Sequence, residues 1–307
     1  MKIYINKVKE NWVVDRFVKE WKIYNFETKN TYFDRNTIIW IIAPWTWKKI
    51  PKKFLVKRKV VCTIHHIDED KFKENEFAEF NERDQYVDLY HVISDKTFDQ
   101  VKKYTKKEII KIPFWINSNL WFEIQNKNDL YKKYNLDKNS FYVGSFQRDT
   151  EGNDLISPKL SKGPDNFFKI AKYLNKNKND LTVVLTGKRR QYLINKFDKE
   201  GINYKYFEMV NFEELNELYN ILNLYIVTSR YEGGPQAILE CALNKTPIIS
   251  TDVGIASEIL SKESIFDMHN FVKAIPNVDY AFKKVQKYII PDGFTEFNNM
   301  FENIYED

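Results

Sequence analysis

No glycine occurs before Gly144 in this 307-residue chain, and all seven tryptophans lie at or before Trp121. The two halves are built for different work. Cysteine is scarce. Cys62 and Cys241 each sit in an apolar run, which suggests reduced core thiols in a cytoplasmic protein and no cysteine metal site. No apolar stretch approaches the roughly 18–20 residues of a membrane span, and the opening MKIYINKVKE lacks the apolar core of a signal peptide. Two phosphate signatures are missing as well, G-x-G-x-x-G after the first strand and G-x-x-x-x-G-K-[ST] anywhere. Nicotinamide dinucleotides and P-loop hydrolysis are therefore poor fits.

The length allows two ordinary domains with real cores. Through Ser140 there are 28 Lys and Arg against 20 Asp and Glu, and afterwards 20 against 23. A basic first half could meet nucleic acid, a membrane or an acidic substrate. Short apolar runs alternate with amphipathic stretches throughout, the pattern of βα units on parallel sheets. KIYI, NTIIWIIA, KVVCTIHH, DLYHVIS and EIIKIPF read as strands of the first half; FYVGSF, LTVVLTG, YKYFEMV, LYIVTS and TPIIST read as strands of the second. Stretches such as PDNFFKIAKYL and FEELNELYNIL carry apolar residues at helical spacing. The expected class is α/β with two Rossmann-like, doubly wound domains. The polar segment at 126–139, NKNDLYKKYNLDKN, reads as the linker.

Ligands of open parallel sheets bind beyond the carboxyl ends of the strands. Those positions hold Gln147, Arg148 and Asp149 with Lys162, Gly163 and Pro164; Gly187 to Arg190; Arg230 to Pro235; and Asp252 to Gly254. Glycines and cations on one sheet edge suit a phosphate-bearing ligand, which needs close backbone N–H groups and fixed positive charge. In SRYEGGPQAILE the order is strand, turn, helix, with Pro235 suited to the first helical turn. Glu240 then falls inside the apolar AILECAL, where a carboxylate requires a ligand or a donor.

The segment SRYEGGPQAILECALNKTPIISTDVGIASEIL, together with KLSKGPD and FEELNELYN, resembles the donor domain of retaining glycosyltransferases of the GT-B fold. It is similar in particular to family four, marked by two glutamates seven residues apart, as Glu232 and Glu240 are. That resemblance implies a GT-B fold, two Rossmann-like domains facing each other across a cleft. Residues 1–138 would form the acceptor domain, 139–285 the nucleotide-sugar donor domain, and 286–307 a helix returning to the first domain. Glu240 would bind ribose and Glu232 the donor sugar, about 10 Å apart by helical rise. Gly144, Gly187, Val210, Gly233, Gly234, Pro235 and Gln236 would complete the donor site, with Arg148 and Lys162 on the diphosphate. His65 and His66, closing the strand of VVCTIHH, would stand near the reacting carbon beside Glu232, Arg148 and Lys162.

Three departures accompany the resemblance. Ser145 follows Gly144 where the family places Arg, and TEGNDLISPKLS lengthens the interval from Arg148 to Lys162; the first half also lacks the family's Gly-rich loop. The implied reaction transfers a sugar from a UDP- or GDP-sugar to a glycan or lipid-linked acceptor, with no cofactor and no metal. Asp68, Glu69 and Asp70 could alternatively serve as a metal-holding D-x-D. An epimerase of the same fold and a silent nucleotide- or sugar-binding protein are the rival readings. The stretch at 44–60 carries seven Lys and Arg without an acid and interleaves Trp45, Trp47, Phe54 and Leu55. It reads as a solvated loop or as a patch that docks the protein peripherally on an anionic membrane. No nucleic-acid module accompanies it.

Overall fold

The computed structural model describes residues 2–6, 8, 13–25, 28, 29 and 36–306. They form two units, Met1–Phe114 with Pro291–Asp307, and Trp115–Ile290. Each is built on a six-stranded, wholly parallel sheet.

The first sheet comprises β1 (Lys2–Ile5), β2 (Thr28–Lys29), β3 (Thr37–Ile41), β4 (Val60–Ile64), β5 (Leu89–Val92) and β6 (Glu108–Lys111), in the order β2-β1-β3-β4-β5-β6. Every residue of β3, β4 and β5 is buried, as expected for strands covered on both faces. On one face, Cys62, Ile64, Tyr90 and Val92 pack with Phe80 of the helix Glu74–Asp84. The other face carries an aromatic cluster. Trp21 of the helix Val13–Tyr24 meets Trp40 edge-on at 5.3 Å, and the final helix Thr295–Glu306 inserts Phe301 at 5.2 Å from Trp40 and Phe297 at 5.8 Å from Phe114. Residues of the far end of the chain thus close the core of the first unit.

The second sheet comprises β7 (Phe141–Ser145), β8 (Leu181–Thr186), β9 (Tyr204–Phe207), β10 (Leu224–Val227), β11 (Ile248–Thr251) and β12 (Ile265–Phe266). Its order is β12-β11-β10-β7-β8-β9, so the winding reverses between β7 and β10. That reversal opens a crevice beyond the carboxyl ends of these two strands. All ten strands expected from apolar runs are present. The two others, β2 and β12, have two residues each, too few to show a period.

Residues 126–139, read from composition as a linker, instead contain the helix Asn128–Lys133, which buries Leu130. Lys133 reaches Glu217 at 2.6 Å, and Tyr134 donates to the same carboxylate. Just upstream, Asn216 and Asn220 accept from the backbone N–H groups of Phe122 and Ile124, at 3.1 and 2.8 Å. The helix Phe212–Ile221 therefore holds this polar segment to the second unit by side-chain bonds that leave no hydrophobic pattern in the sequence.

Candidate functional site

Beyond β10 the chain runs through Thr228 and Ser229, both buried, turns at Gly233 and Gly234, and enters the helix Gln236–Asn244. Pro235 stands at the N-cap, one residue before the first turn, with φ −56° and ψ 111°. The N-cap residue makes no side-chain bond to this helix start, and Ile238 N–H donates to the Pro235 carbonyl at 3.0 Å. Glu240 is 6 % exposed, and Tyr219 donates its hydroxyl to Glu240 Oε2 at 2.9 Å. Burial, and then the adjacent carboxylate, hold the Tyr219 phenol well above its usual range, so it stays a donor. Burial and Glu240 likewise raise the neighbouring Cys241 thiol, and burial raises Cys62 to about 11, so both free thiols are unreactive.

Glu232, half-buried, accepts from Lys162 Nζ, and Ser229 Oγ lies 3.4 Å from the same carboxylate oxygen. Lys162 is held by the backbone around it. Gly163 adopts the left-handed conformation (φ 64°) as N-cap of the helix Pro164–Asn177, and a Cβ there would collide with the Thr228 carbonyl. Only glycine permits the approach. Thr228 Oγ1 donates to Gly163 O at 2.8 Å, and Gln147, beyond β7, donates from Nε2 to Lys162 O at 2.9 Å. Gly254 (φ 53°), beyond β11, is equally confined by the backbone of Glu232 and Gly233. The ends of β7, β10 and β11 thus fix one small polar cluster.

Arg148 is exposed, whereas its neighbour Asp149 is buried and pairs with the wholly buried Arg190. Arg190 Nε lies 3.2 Å from Asp149 Oδ2, and its Nη1 donates to Ser145 O at 2.6 Å and Thr186 O at 2.7 Å. Burial pushes the carboxyl up and the guanidinium down; each charge persists because the other opposes that push. The pair ties the ends of β7 and β8 and anchors the loop that bears Arg148. Arg190 stood among the strand-end cations of the sequence but took no separate role there; the matching Asp149 in QRDT was its signal. Gly144 is buried within β7, Gly187 (φ 82°) follows β8 and accepts at its carbonyl from Tyr206 at 3.0 Å, and Val210, half-buried, precedes the cap Asn211. Gln236, half-buried, opens the site helix.

His65 and His66 lie in the first unit, just beyond β4, with different surroundings. His65 Nε2 bonds to Ile42 O at 2.9 Å, and its ring stacks near Phe114 at 5.8 Å. His66 is exposed. Glu69 is engaged by Gln100 at 3.4 Å and Lys103 at 3.5 Å, while Asp70 is exposed. Among the described residues no three His, Cys, Asp or Glu side chains gather as metal ligands would. A third histidine was not singled out in the sequence because it falls inside an ordinary strand. His91 of β5 is wholly buried: its Nε2 donates to Ile112 O at 2.7 Å, and its Nδ1 accepts from Thr63, which in turn accepts from Trp40 Nε1 at 2.8 Å.

Residues 157–303 match the family of glycosyl transferases group 1. No curated protein matches the chain. Among solved structures, HepE of Anabaena in complex with UDP and glucose aligns with a TM-score of 0.75 at 13% identity, over 99% of this chain and 100% of that one. Sucrose-phosphate synthase from Thermosynechococcus elongatus aligns at 0.71 and 14%, over 98% and 81%. TarM of S. aureus in complex with fondaparinux, α-GlcNAc-glycerol and UDP aligns at 0.64 and 14%, over 96% and 59%. The chain has the α/β GT-B type of fold, two Rossmann-like units with parallel sheets, and carries a group 1 glycosyl transferase domain.

Proposed function

We propose that the protein is a retaining glycosyltransferase that takes a sugar from a UDP- or GDP-linked donor to a glycan or lipid-linked acceptor. One observation carries this reading: Glu232 and Glu240 bracket a helix start at the reversal point of the second sheet, with Lys162 bound to the first carboxylate. Glu240 binds ribose hydroxyls, and Glu232 the donor sugar. The N–H groups near Gly233 and Gly234 meet the diphosphate, with Lys162 turning from Glu232 to the phosphate as donor enters. In the reaction the bond from the sugar's anomeric carbon to the diphosphate oxygen breaks as the acceptor oxygen bonds on the same face. The acceptor proton passes to the departing phosphate oxygen, so no protein nucleophile is used.

A screen of UDP- and GDP-sugars tests the reading. Slow nucleotide release that persists in EDTA is the expected result, because Lys162 and the helix start supply the charge that a divalent ion would otherwise provide. A changed sugar with no release would make the protein an epimerase, and tight binding with neither would make it a silent binder. Loss of activity on chelation, restored by manganese, would move the diphosphate site to Asp68 and Asp70. His65→Ala and His66→Ala, measured singly, identify which histidine serves turnover: that variant keeps nucleotide affinity and loses rate.

A further inference from the structure

Glu240 is held by a side chain of a different helix, and that side chain is itself fixed. Tyr219, in the last turn of the helix Phe212–Ile221, is 2 % exposed. Its ring packs against Phe146, Tyr225 and Trp121, with centroids 4.8, 5.3 and 5.8 Å away. Tyr225 is confined in turn. Its hydroxyl accepts from the Phe146 N–H at 3.0 Å, and a Cβ on Gly144 would lie 3.2 Å from its ring and collide with Leu222. Thr246, just past the helix Gln236–Asn244, donates to the Tyr219 carbonyl at 2.9 Å. The chain around Glu240 is therefore fastened to Tyr219 twice, through the backbone carbonyl and through the phenol. A tyrosine has two side-chain angles, and contact with three aromatic rings leaves its hydroxyl one position. A glutamate has three, and ordering them only as a ligand arrives would subtract from affinity. In this chain folding completes that ordering. An apolar residue at 240 would suit the helix without any donor, so packing alone does not call for the pair.

We propose that Tyr219 is a positioning residue of the donor site: it sets Glu240 in advance to accept from ribose hydroxyls, and so determines how strongly the protein prefers ribonucleotides to nucleotides that lack those hydroxyls. The proposal rests on the reading of Glu240 as the ribose ligand. Because the phenol stays protonated, the bond runs in one sense, from Tyr219 to the carboxylate. A hydrogen bond to an ionised acceptor is among the stronger ones, so losing it should release the glutamate side chain.

Calorimetry on the whole chain tests it with UDP and GDP, each beside its 2′,3′-dideoxy counterpart. The wild type should bind one ribonucleotide about ten-fold or more tightly than its dideoxy form. Tyr219→Phe, which removes a single oxygen, should reduce that preference to about three-fold or less, with dideoxy affinity within about two-fold of wild type. A role confined to packing would weaken both nucleotides alike; that result, or an unchanged preference, overturns the assignment. In a Glu240→Gln background, adding Tyr219→Phe should alter the preference by less than about two-fold, because no carboxylate is left to position. A further loss there would mean that Tyr219 acts apart from Glu240 and would also overturn it. This double variant lacks the buried charge and decides the matter should Tyr219→Phe alone not fold. A wild type that binds a nucleotide without preferring ribose removes the premise about Glu240, and the assignment with it. A wild-type preference that survives in Tyr219→Phe removes the assignment alone.

Discussion

At the scale of single residues, Glu240 and Glu232 carry different expectations. Glu240→Ala would remove a charge-assisted hydrogen bond worth roughly 1.5–3 kcal/mol and leave the buried Tyr219 hydroxyl without its acceptor. Glu240→Gln is the cleaner variant, because its side-chain carbonyl can still accept from Tyr219. It should fold normally and bind free UDP or GDP about 10- to 100-fold more weakly in calorimetry; unchanged affinity would remove Glu240 from the nucleotide site. Glu232→Gln should spare free nucleotide and depress turnover of the sugar donor. Equal loss of nucleotide by both would mean that the division of labour between the carboxylates is wrong. The E-x7-E spacing was visible in the chain from the start. What supports each carboxylate was not: Lys162 lies 70 positions from Glu232, and Tyr219 lies 21 from Glu240 on a separate helix.

At the scale of elements, β3, β4 and β5 share the relay Trp40, Thr63, His91, which ends on the Ile112 carbonyl. Burial lowers His91 from its ordinary 6.5 to about 3, only partly opposed by the Ile112 carbonyl. Between those pH values the unfolded chain binds a proton that the native chain does not. The stabilisation is whole above pH 6.5 and is lost as pH falls toward 3, by up to about 1.4 kcal/mol per unit. Urea titrations at pH 6.5, 5.5 and 4.5 should show this slope, and His91→Gln should lack it. Strands such as these were legible because each is a continuous apolar run. A buried histidine within one was not, since its partners come from neighbouring strands. The basic stretch at 44–60 divides in the same way. Trp47 is buried, and Lys48 and Lys52 pair with Glu82 at 3.6 and 2.9 Å. Trp45 is 50 % exposed and Val56 71 %, and Lys53, Lys57 and Arg58 line a surface groove with Phe54. If the acceptor is lipid-linked, vesicles of anionic lipid should sediment the protein at low salt, and changing those three cations to Glu should abolish this. A wild type that ignores such vesicles would direct attention to soluble acceptors.

At the scale of the whole molecule, the dependence of the first unit on Pro291–Asp307 sets the energetics of the chain. Phe297 is wholly buried among Trp21, Trp40, His91 and Phe114. Phe297→Ala should cost roughly 3–5 kcal/mol by chemical denaturation, close to the whole stability of a small unit. The second unit has no such debt to distant sequence, since Trp115–Ile290 is continuous. This arrangement reverses the usual sequence of events on the ribosome, where domains fold from the amino end onward. Trp21, Trp40 and Phe114 emerge early but wait for Phe297 and Phe301 until residues 291–307 have been translated. The later-made unit can complete its core first. Throughout that interval an aromatic sheet face is uncovered, and a holdase chaperone that grips aromatic segments should bind nascent chains stalled before residue 291 and release those stalled well after it.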